Sequence, residues 1–311
     1  MQVSAPINPI TGYHKVISGL CNSFASRGHF VKLFPRGVEL EYGARSVPDV
    51  EKYLVQNTEE WKASLNIDCF LEATNRTKRC ARFTMWESTD ATEEALSKHK
   101  ENTVTVFPCA WNAKYLDIGT AKAVVPLGTD PSKYYWQPQH FNGKFVFGVA
   151  GRMKNFASRK NLFSAASWFT QAFPEQTDVE LQIKGFPDDC ALPEIHPFDK
   201  RIKIIKRAFS ETEWITWLRG VNVLVSTSWG EGWGLCQNEA MAMGRPVIMP
   251  NYGGLAEFFT PLGNYGVSFK EEAVNIFHYR GMICRQSVED TVDAMRYAYS
   301  NPNDVVRRGL A

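Results

Sequence analysis

Two glutamates, Glu231 and Glu239, stand eight positions apart in the glycine-rich stretch SWGEGWGLCQNEAMAMGRPVI, residues 228–248. A carboxylate pairs poorly with phosphate but accepts hydrogen bonds well from vicinal hydroxyls. Glycines on both sides of Glu231 would let the backbone turn sharply and approach a ligand. A helical pattern begins after them, and a helix N-terminus offers N–H groups and a positive dipole end to an anion. These features favour a ligand with phosphate flanked by two hydroxylated rings, as in a nucleotide sugar.

The same stretch also fits a structural interpretation without any ligand. In that case Glu231 caps the helix N-terminus and Glu239 lies on a solvated helix face. The spacing alone favours neither interpretation over the other.

A second loop could supply the cations that a diphosphate requires. The segment GRMKNFASRKN, residues 151–161, follows a predicted strand and carries Arg152, Arg159 and Lys160. A planar Arg fork and a Lys point charge at a strand end suit a diphosphate leaving group. The alternative is a solvated basic loop, which is more common than a binding site for basic residues in a loop.

The elements that must position these residues form two strand-and-helix series, which predict two α/β domains, residues 1–141 and 142–311, each with a doubly wound sheet. We expect the two sheets to face each other across a cleft. Such sheets bind ligands beyond the carboxyl ends of their strands, and residues 228–248 follow one of these ends, so we expect them to line the cleft. The predicted strands lie at 2–5, 30–34, 69–73, 82–86, 104–108 and 123–127, and then at 144–151, 179–185, 201–207, 221–228 and 245–250; the predicted helices lie at 16–24, 161–173 and 210–220.

Composition excludes several classes of partner. With 35 Lys and Arg against 33 Asp and Glu, the chain gives no reason to expect nucleic acid. The seven cysteines are scattered and never spaced as C-x-x-C, which argues against a disulfide framework or a zinc site and favours a cytoplasmic location. No signal-peptide pattern and no apolar run of about 18 residues occur, so we expect no transmembrane segment, although peripheral contact with a membrane surface stays compatible with the sequence.

The motifs resemble those of retaining glycosyltransferases of the GT-B fold, in the large family 4 type known as group 1 glycosyltransferases. EGWGLCQNEAMAMGRPVI (231–248) is similar to that family's E-G-F-G-L-x-x-x-E-A-M-A-x-G-x-P-V-I, with Trp233 in place of phenylalanine. Further matches are NYGGLAE to G-G-x-x-E, GRM…RKN to G-R-L…K-N, RGHFV to R-G-H-x-V and VVPLGTD to V-x-P-L-G-V-D. The resemblance implies two Rossmann-like domains and the transfer of a hexose from a nucleotide-diphosphate sugar to an acceptor hydroxyl.

The resemblance also implies roles on the donor side. Glu231 would contact the donor sugar, Glu239 the ribose, and Arg152 and Lys160 the diphosphate, with Arg159 as a substitute for Lys160. The remaining donor-side candidates are the backbone at Gly232, Trp233, Gly234 and Leu235 for sugar and phosphate, Gly253 and Gly254 for close approach to the sugar, and Lys184 and Arg207 for the nucleobase.

On the acceptor side, Gly12 matches the family's glycine loop after the first strand. The family's D-x-x-H-x-H pattern has no counterpart in NIDCFLEATN, so His14 is the candidate for the missing histidine, against an ordinary loop histidine as the better-supported alternative. Trp86 and Glu87 could face an acceptor, but a core tryptophan with a capping glutamate fits the sequence equally well.

Retention implies that the acceptor attacks on the face from which the diphosphate departs, and that a diphosphate oxygen takes the proton. The reaction then needs no cofactor and no metal, and no D-x-D metal motif is present. The acceptor could be a glycan, a lipid or a protein. Two other functions stay open: a non-catalytic nucleotide-sugar-binding homologue and a sugar epimerase of the same fold. A dinucleotide oxidoreductase is disfavoured because neither half shows G-x-G-x-x-G after its first strand.

Overall fold

The chain folds into two compact units, which are residues 1–127 with 277–280 and residues 128–276 with 281–311. The computed structural model describes residues 2–6, 12–36, 51–53, 66–69, 80–97, 99–100, 103–141, 143–152, 159–187, 199–276 and 278–311.

The elements of the first unit are β1 (Gln2–Pro6), α1 (Gly12–Ser26), β2 (Lys32–Arg36), β3 (Asn66–Cys69), β4 (Cys80–Phe83), β5 (Asp90–Ala91), α2 (Glu93–Ser97), β6 (Val104–Phe107), α3 (Ala110–Tyr115) and β7 (Ala121–Val124), with one 3₁₀ turn at Glu51–Tyr53. The unit is built on a parallel sheet with strand order β2-β1-β3-β4-β6-β7.

Helix α1 forms where the helical spacing of apolar residues predicts it. Val16, Ile17 and Cys21 are buried on one face and pack with Leu33 and Phe83 of the sheet. The helix ends before Gly28, whose φ of 80° is the left-handed conformation that glycine adopts without strain.

The elements of the second unit are β8 (Phe145–Ala150), α4 (Leu162–Ala172), β9 (Val179–Gly185), β10 (Ile202–Lys206), α5 (Glu211–Gly220), β11 (Val223–Val225), α6 (Leu235–Ala242), β12 (Val247–Pro250), a 3₁₀ helix (Gly253–Glu257), β13 (Tyr265–Val267), β14 (Phe269–Ala273), β16 (Met282–Gln286), α7 (Val288–Ser300) and α8 (Pro302–Arg308). Strand β15 (Tyr279–Arg280) lies between β14 and β16 in the sequence but belongs to the first unit. The second unit is built on a parallel sheet with strand order β10-β9-β8-β11-β12-β13, followed by a small antiparallel hairpin.

This order is that of a doubly wound sheet in which the direction of winding reverses between β8 and β11. Successive residues of β11 point to opposite faces, so Val223 and Val225 pack with α4 and α7 while Leu224 packs with α5 and α6. Both faces of the sheet are therefore covered by helices. The sequence prediction of an α/β protein with doubly wound sheets is confirmed.

Residues 128–141, at the end of the first predicted domain, pack against the second unit. Tyr134 is buried with the α5 and α6 side chains, and the Arg245 guanidinium donates to the Gln137 carbonyl at 2.8 Å. The Gln139 amide donates to the Gly244 carbonyl at 2.9 Å. These contacts satisfy buried polar groups of the second unit, so residues 128–141 belong with it although the sequence analysis assigns them to the first domain.

The C-terminal part contains elements that the sequence analysis does not predict. Strands β14 and β16 form a hairpin, and between them β15 pairs antiparallel with β5 of the first unit. Other strands are predicted with shifted ends. The predicted strand at 82–86 is β4, which ends at Phe83; the one at 221–228 is β11, which is only three residues long; and residues 70–73 of the strand predicted at 69–73 lie outside the described residues.

Candidate functional site

Most of the donor-side residues named by the sequence analysis follow the carboxyl ends of strands in the second sheet. Arg152 follows β8, Glu231 follows β11, and the 3₁₀ helix at Gly253–Glu257 follows β12. These three strands are neighbours, and parallel strands end at the same edge. The point between β8 and β11 is where the winding reverses, which is where such sheets open a crevice for a ligand.

Glu231 lies at this point and is paired with two cations. Its carboxylate is buried, with Oε1 2.5 Å from Lys160 Nζ and Oε2 3.4 Å from Arg159 Nη1. Both cations keep about a quarter of their side-chain surface exposed. The structure therefore brings together three of the predicted residues in one ion cluster.

The electrostatic state of Glu231 follows from this cluster. Burial by itself raises the pKa of a carboxyl group, but the positive charges of Lys160 and Arg159 prevail and hold the pKa of Glu231 below its usual range. Glu231 is consequently a carboxylate at neutral pH, suited to accept hydrogen bonds and unsuited to donate a proton.

Hydrogen bonds to backbone carbonyls join the loop after β8 to the loop after β11. The Trp229 amide donates to the Arg159 carbonyl at 2.8 Å, and the Thr227 hydroxyl donates to the Lys160 carbonyl at 2.6 Å. Arg159 also donates from Nη1 to the Gly230 carbonyl at 2.8 Å. The two loops are thereby fixed against each other at Arg159 and Lys160. Residues 153–158 between Arg152 and these cations lie outside the described residues.

The predicted glycines allow a close backbone approach beside Glu231. The Gly254 amide donates to the Glu231 carbonyl at 2.7 Å. A Cβ atom on Gly254 would lie 2.4 Å from the Gly232 carbonyl carbon, and Gly253 has a φ of 62°. Gly234, at the N-terminus of α6, has a φ of 97°. Side chains at these positions would displace the loop that holds Glu231 or strain its backbone.

Glu239 lies inside α6 and is buried, with 3% of its surface exposed. Its Oε2 accepts a hydrogen bond of 2.6 Å from the Trp214 indole Nε1 of α5. The interpretation of Glu239 as a solvated helix residue is therefore wrong. Nothing in the sequence singles out Trp214 as a partner of Glu239. The position of Trp214 in ETEWITWL predicts only that it lies on the helix face that packs against the sheet.

Lys184 and Arg207 lie at the ends of β9 and β10 in a cluster of cations and phenyl rings. Lys184 Nζ is 3.7 Å from the centroid of the Phe186 ring and 5.1 Å from that of Phe209. The Arg207 guanidinium carbon lies 4.6 Å from the centroid of the Phe209 ring. The Arg152 guanidinium carbon lies 5.4 Å from the centroid of the Phe186 ring. Arg152 thus shares the Phe186 ring with Lys184, and Arg207 shares the Phe209 ring with the same lysine. The sequence does not predict a role for the two phenylalanines.

Trp233, which replaces the phenylalanine of the resembled motif, is buried and packs on Phe258 with ring centroids 5.3 Å apart. Its indole Nε1 has no hydrogen-bond partner among the described residues. The side chain therefore serves the packing of the loop, and the Gly232–Leu235 backbone stays the predicted contact surface for a ligand.

The acceptor-side candidates belong to the first unit. Trp86 is buried, and its indole Nε1 donates to the Ser88 hydroxyl and the Asp90 carbonyl, so it is a core residue of this unit. Glu87 accepts a 2.9 Å hydrogen bond from the Tyr279 hydroxyl, and the Tyr279 ring lies 5.2 Å from that of Trp86. Gly12 begins α1, and the side chain of His14 lies outside the described part of the chain. Acceptor binding by these four residues stays a prediction.

Among the described residues, no group of three or more His, Cys, Asp and Glu side chains is arranged to hold a metal ion. No described helix combines the length and the apolar character that crossing a bilayer requires.

Comparison with solved structures defines the fold. Sucrose-phosphate synthase from Thermosynechococcus elongatus superposes with a TM-score of 0.72 at 13% identity, covering 99% of this chain and 92% of that one. HepE from Anabaena, solved in complex with UDP and glucose, gives 0.67 at 11% identity, covering 99% and 92%. WaaG, a glycosyltransferase involved in lipopolysaccharide biosynthesis, gives 0.64 at 12% identity, covering 100% and 93%. The fold is that of the GT-B glycosyltransferases, with two Rossmann-like domains.

Residues 144–278 match the family model for glycosyl transferases group 1. The matched residues include Glu231, Glu239, Arg152 and Lys160, and the match supports the assignment of the protein as a transferase enzyme. A search of curated protein sequences finds no significant match.

Proposed function

We propose that this protein is a retaining glycosyltransferase that moves a hexose from a nucleotide-diphosphate sugar to an acceptor hydroxyl without a metal ion. The observation that carries the proposal is the buried Glu231 carboxylate held by Lys160 and Arg159 between β8 and β11. A buried, ionised carboxylate beside cations at the reversal point suits a ligand with both hydroxyl groups and negative charge.

The cations serve the leaving group in this proposal. When the bond between the sugar C1 and the diphosphate oxygen breaks, negative charge develops on the diphosphate. Lys160 carries three donor protons, so it can bind Glu231 and a phosphate oxygen together. Arg152 adds a planar guanidinium that follows the end of β8. Placing charges where the negative charge develops lowers the barrier of the departing step.

The acceptor needs no protein base in this mechanism. The acceptor oxygen forms the new bond to C1 on the face that the diphosphate leaves, and the acceptor proton passes to the departing diphosphate oxygen. Glu231 accepts hydrogen bonds from hydroxyls of the donor sugar and positions C1. Glu239 accepts from the ribose, and the Gly232–Leu235 amides hold sugar and phosphate. The nucleobase lies towards Lys184 and Arg207.

The solved relatives support a nucleotide sugar as donor, since HepE was crystallised with UDP and glucose. We propose a nucleotide sugar as the substrate here, an acceptor that is a glycan, a lipid or a protein, and reaction in the cytoplasm. Peripheral contact with a membrane is part of the proposal only where the acceptor is a lipid.

Transfer of labelled sugar tests the proposal. UDP-, GDP- and ADP-hexoses, labelled in the sugar, are incubated with glycan, lipid and protein acceptor fractions in the presence of EDTA, and the product anomer is assigned by NMR. We expect transfer from one donor class with retained configuration. Glu231→Gln should lower the rate at least about 100-fold because a contact at the reacting sugar is lost. Glu271→Gln, an exposed carboxylate on β14, is the matched control and should leave the rate unchanged.

Each competing function gives a different result in the same assay. A non-catalytic homologue binds a donor but transfers no label. An epimerase changes the sugar of the nucleotide without any acceptor. Transfer that depends on added Mg²⁺ or Mn²⁺, or an inverted product, contradicts the proposed mechanism.

A further inference from the structure

Glu239 is held by an indole N–H. Trp214 Nε1 donates to Glu239 Oε2 at 2.6 Å, and both side chains are buried. A carboxylate removed from water needs compensating hydrogen bonds, and a hydrogen bond to an ionised acceptor is stronger than one between neutral groups. The contact therefore fixes the rotamer of Glu239 as well as offsetting its burial.

The Trp214 indole that donates this hydrogen bond is held rigidly by its surroundings. Trp214 stacks on Trp217 in the next turn of α5, with ring centroids 5.1 Å apart and planes inclined by 27°. The helix is capped at its N-terminus by Ser210, whose hydroxyl and whose amide form a reciprocal capping box with Glu213. A stacked indole on a capped helix has little freedom to turn, so the direction of its N–H is set by the fold.

A carboxylate offers about four acceptor directions, two on each oxygen. The hydrogen bond from the indole to Oε2 restricts the orientation of the carboxylate, and with it the directions in which the carboxylate can accept from a ligand. A carboxylate fixed in this way suits two neighbouring hydroxyls, whereas a rotating one would meet each of them only part of the time.

We propose that Trp214 is a positioning residue that fixes Glu239 for the ribose hydroxyls, so that the site selects ribonucleoside diphosphates over their 2′-deoxy forms. This inference rests on the proposed function, in which Glu239 contacts the ribose. It adds the residue that orients Glu239 and the discrimination that results.

The structure also supplies a matched control. Trp217 lies on the same helix and in the same stacked pair, and it is buried like Trp214. Its Nε1, however, has no hydrogen-bond partner among the described residues. Trp214→Phe and Trp217→Phe therefore each remove one indole from one stack, but only the first removes the hydrogen bond to Glu239.

Calorimetric titration tests the inference with UDP, GDP and ADP and with dUDP, dGDP and dADP. The readout is the ratio of the Kd for the deoxy nucleotide to that for the ribonucleotide of the base that binds. Since a hydrogen bond to a charged group contributes on the order of tenfold or more in affinity, we expect Trp214→Phe to lower this ratio about tenfold, towards one. Trp217→Phe should keep the wild-type ratio. The ratio is measured on one preparation, so a partly unfolded sample affects both nucleotides equally.

A second variant tests whether the effect passes through Glu239. Glu239→Gln should also lower the ratio, and adding Trp214→Phe to it should lower the ratio no further. The inference is overturned if Trp214→Phe keeps the wild-type ratio, or if both tryptophan variants lower it equally, which would indicate a packing effect. If the wild type binds none of the nucleotides, the proposed donor site fails instead, so the two failures are distinguishable.

Discussion

At the scale of single residues, the sequence predicts which side chains carry charge and hydroxyl-binding capacity, but their states depend on neighbours far along the chain. Glu231 is an ionised carboxylate because Lys160 and Arg159, some 70 positions earlier, lie beside it. Glu239 is buried and oriented because Trp214 donates to it. The resemblance of the motif implies the two glutamates, whereas no spacing in the sequence could indicate the indole. The sequence allows Trp86 to be either an acceptor contact or a core residue, and its buried hydrogen bonds are those of a core residue.

His99 gives a residue-scale prediction for pH. It is buried in the first unit, and burial, reinforced by the positive charge of Arg82, lowers the pKa of His99 from 6.5 to about 4. Above pH 6.5 the histidine is neutral in both the folded and the unfolded chain, so it contributes no pH dependence. Between pH 6.5 and about 4 only the unfolded chain takes up the proton, so stability falls as the pH falls.

The measurement is the free energy of unfolding of wild type and His99→Asn across this pH range. We expect the wild type to lose up to about 3 kcal/mol more than the variant between pH 6.5 and pH 4, the equivalent of its pKa shift. Taking the difference between the two proteins cancels the titration of other groups. Parallel curves for the two proteins would show that His99 is not held neutral by burial.

At the scale of elements, the predicted helices and strands with clear apolar periodicity are present. Helix α5 begins at the capping box that SETE predicts, and β8 and β9 follow their apolar runs. The hairpin of β14 and β16 was not predicted because every residue of β14 is exposed, which leaves no apolar alternation to detect. Strand β11 is shorter than the strand predicted at 221–228 because the residues after Val225 already turn into the loop that carries Glu231.

The contact between the 3₁₀ helix and the Glu231 loop gives an element-scale prediction. Gly254→Ala would place a Cβ 2.4 to 2.5 Å from backbone atoms of Gly232 and Trp233, and backbone cannot yield as a flexible side chain can. We expect a destabilisation of about 1–3 kcal/mol, typical of an overpacked site, and a loss of nucleotide binding greater than the loss of stability explains. Thermal unfolding and titration with the nucleotide that binds measure both effects.

Gly220→Ala is the control for this substitution. Gly220 ends α5, and a Cβ atom there would meet nothing within 4 Å. Its stability should stay unchanged or rise by a few tenths of a kcal/mol up to about 1 kcal/mol, because alanine restricts the unfolded chain. Equal behaviour of the two variants would mean that the close approach of Gly254 does not hold the loop.

At the scale of the whole molecule, two series of strands and helices suffice to predict two doubly wound sheets, and both are present. The strand orders are not readable from the sequence, since they follow from which strands pair over long distances. The sequence also does not predict that residues 277–280 return to the first unit, because β15 is two residues long and exists only by pairing with β5. What the sequence does predict at this scale is the sheet edge at which the candidate donor-side residues lie.

Hydrogen exchange locates the site within the molecule. With the nucleotide that binds, amides in peptides covering 228–239 and 251–257 should exchange more slowly, because the proposed ligand contacts the Gly232–Leu235 backbone and Gly253. Peptides covering β14 and β16 serve as controls in the same unit and should not change. Protection confined to peptides from residues 1–127 would place the nucleotide elsewhere.

The central claim, that the second unit binds a nucleotide-diphosphate sugar through Arg152 and Glu239, is tested most directly by a thermal-shift panel of UDP-, GDP- and ADP-sugars. A ligand that binds only the folded state adds about 2.7 kcal/mol at about 100 times its Kd, which is enough to raise the unfolding midpoint measurably. We predict that the sugars of one base raise the midpoint of the wild type, and that Arg152→Ala and Glu239→Ala each reduce this rise. No rise with any donor in the wild type, or a rise unchanged in both variants, would contradict the account.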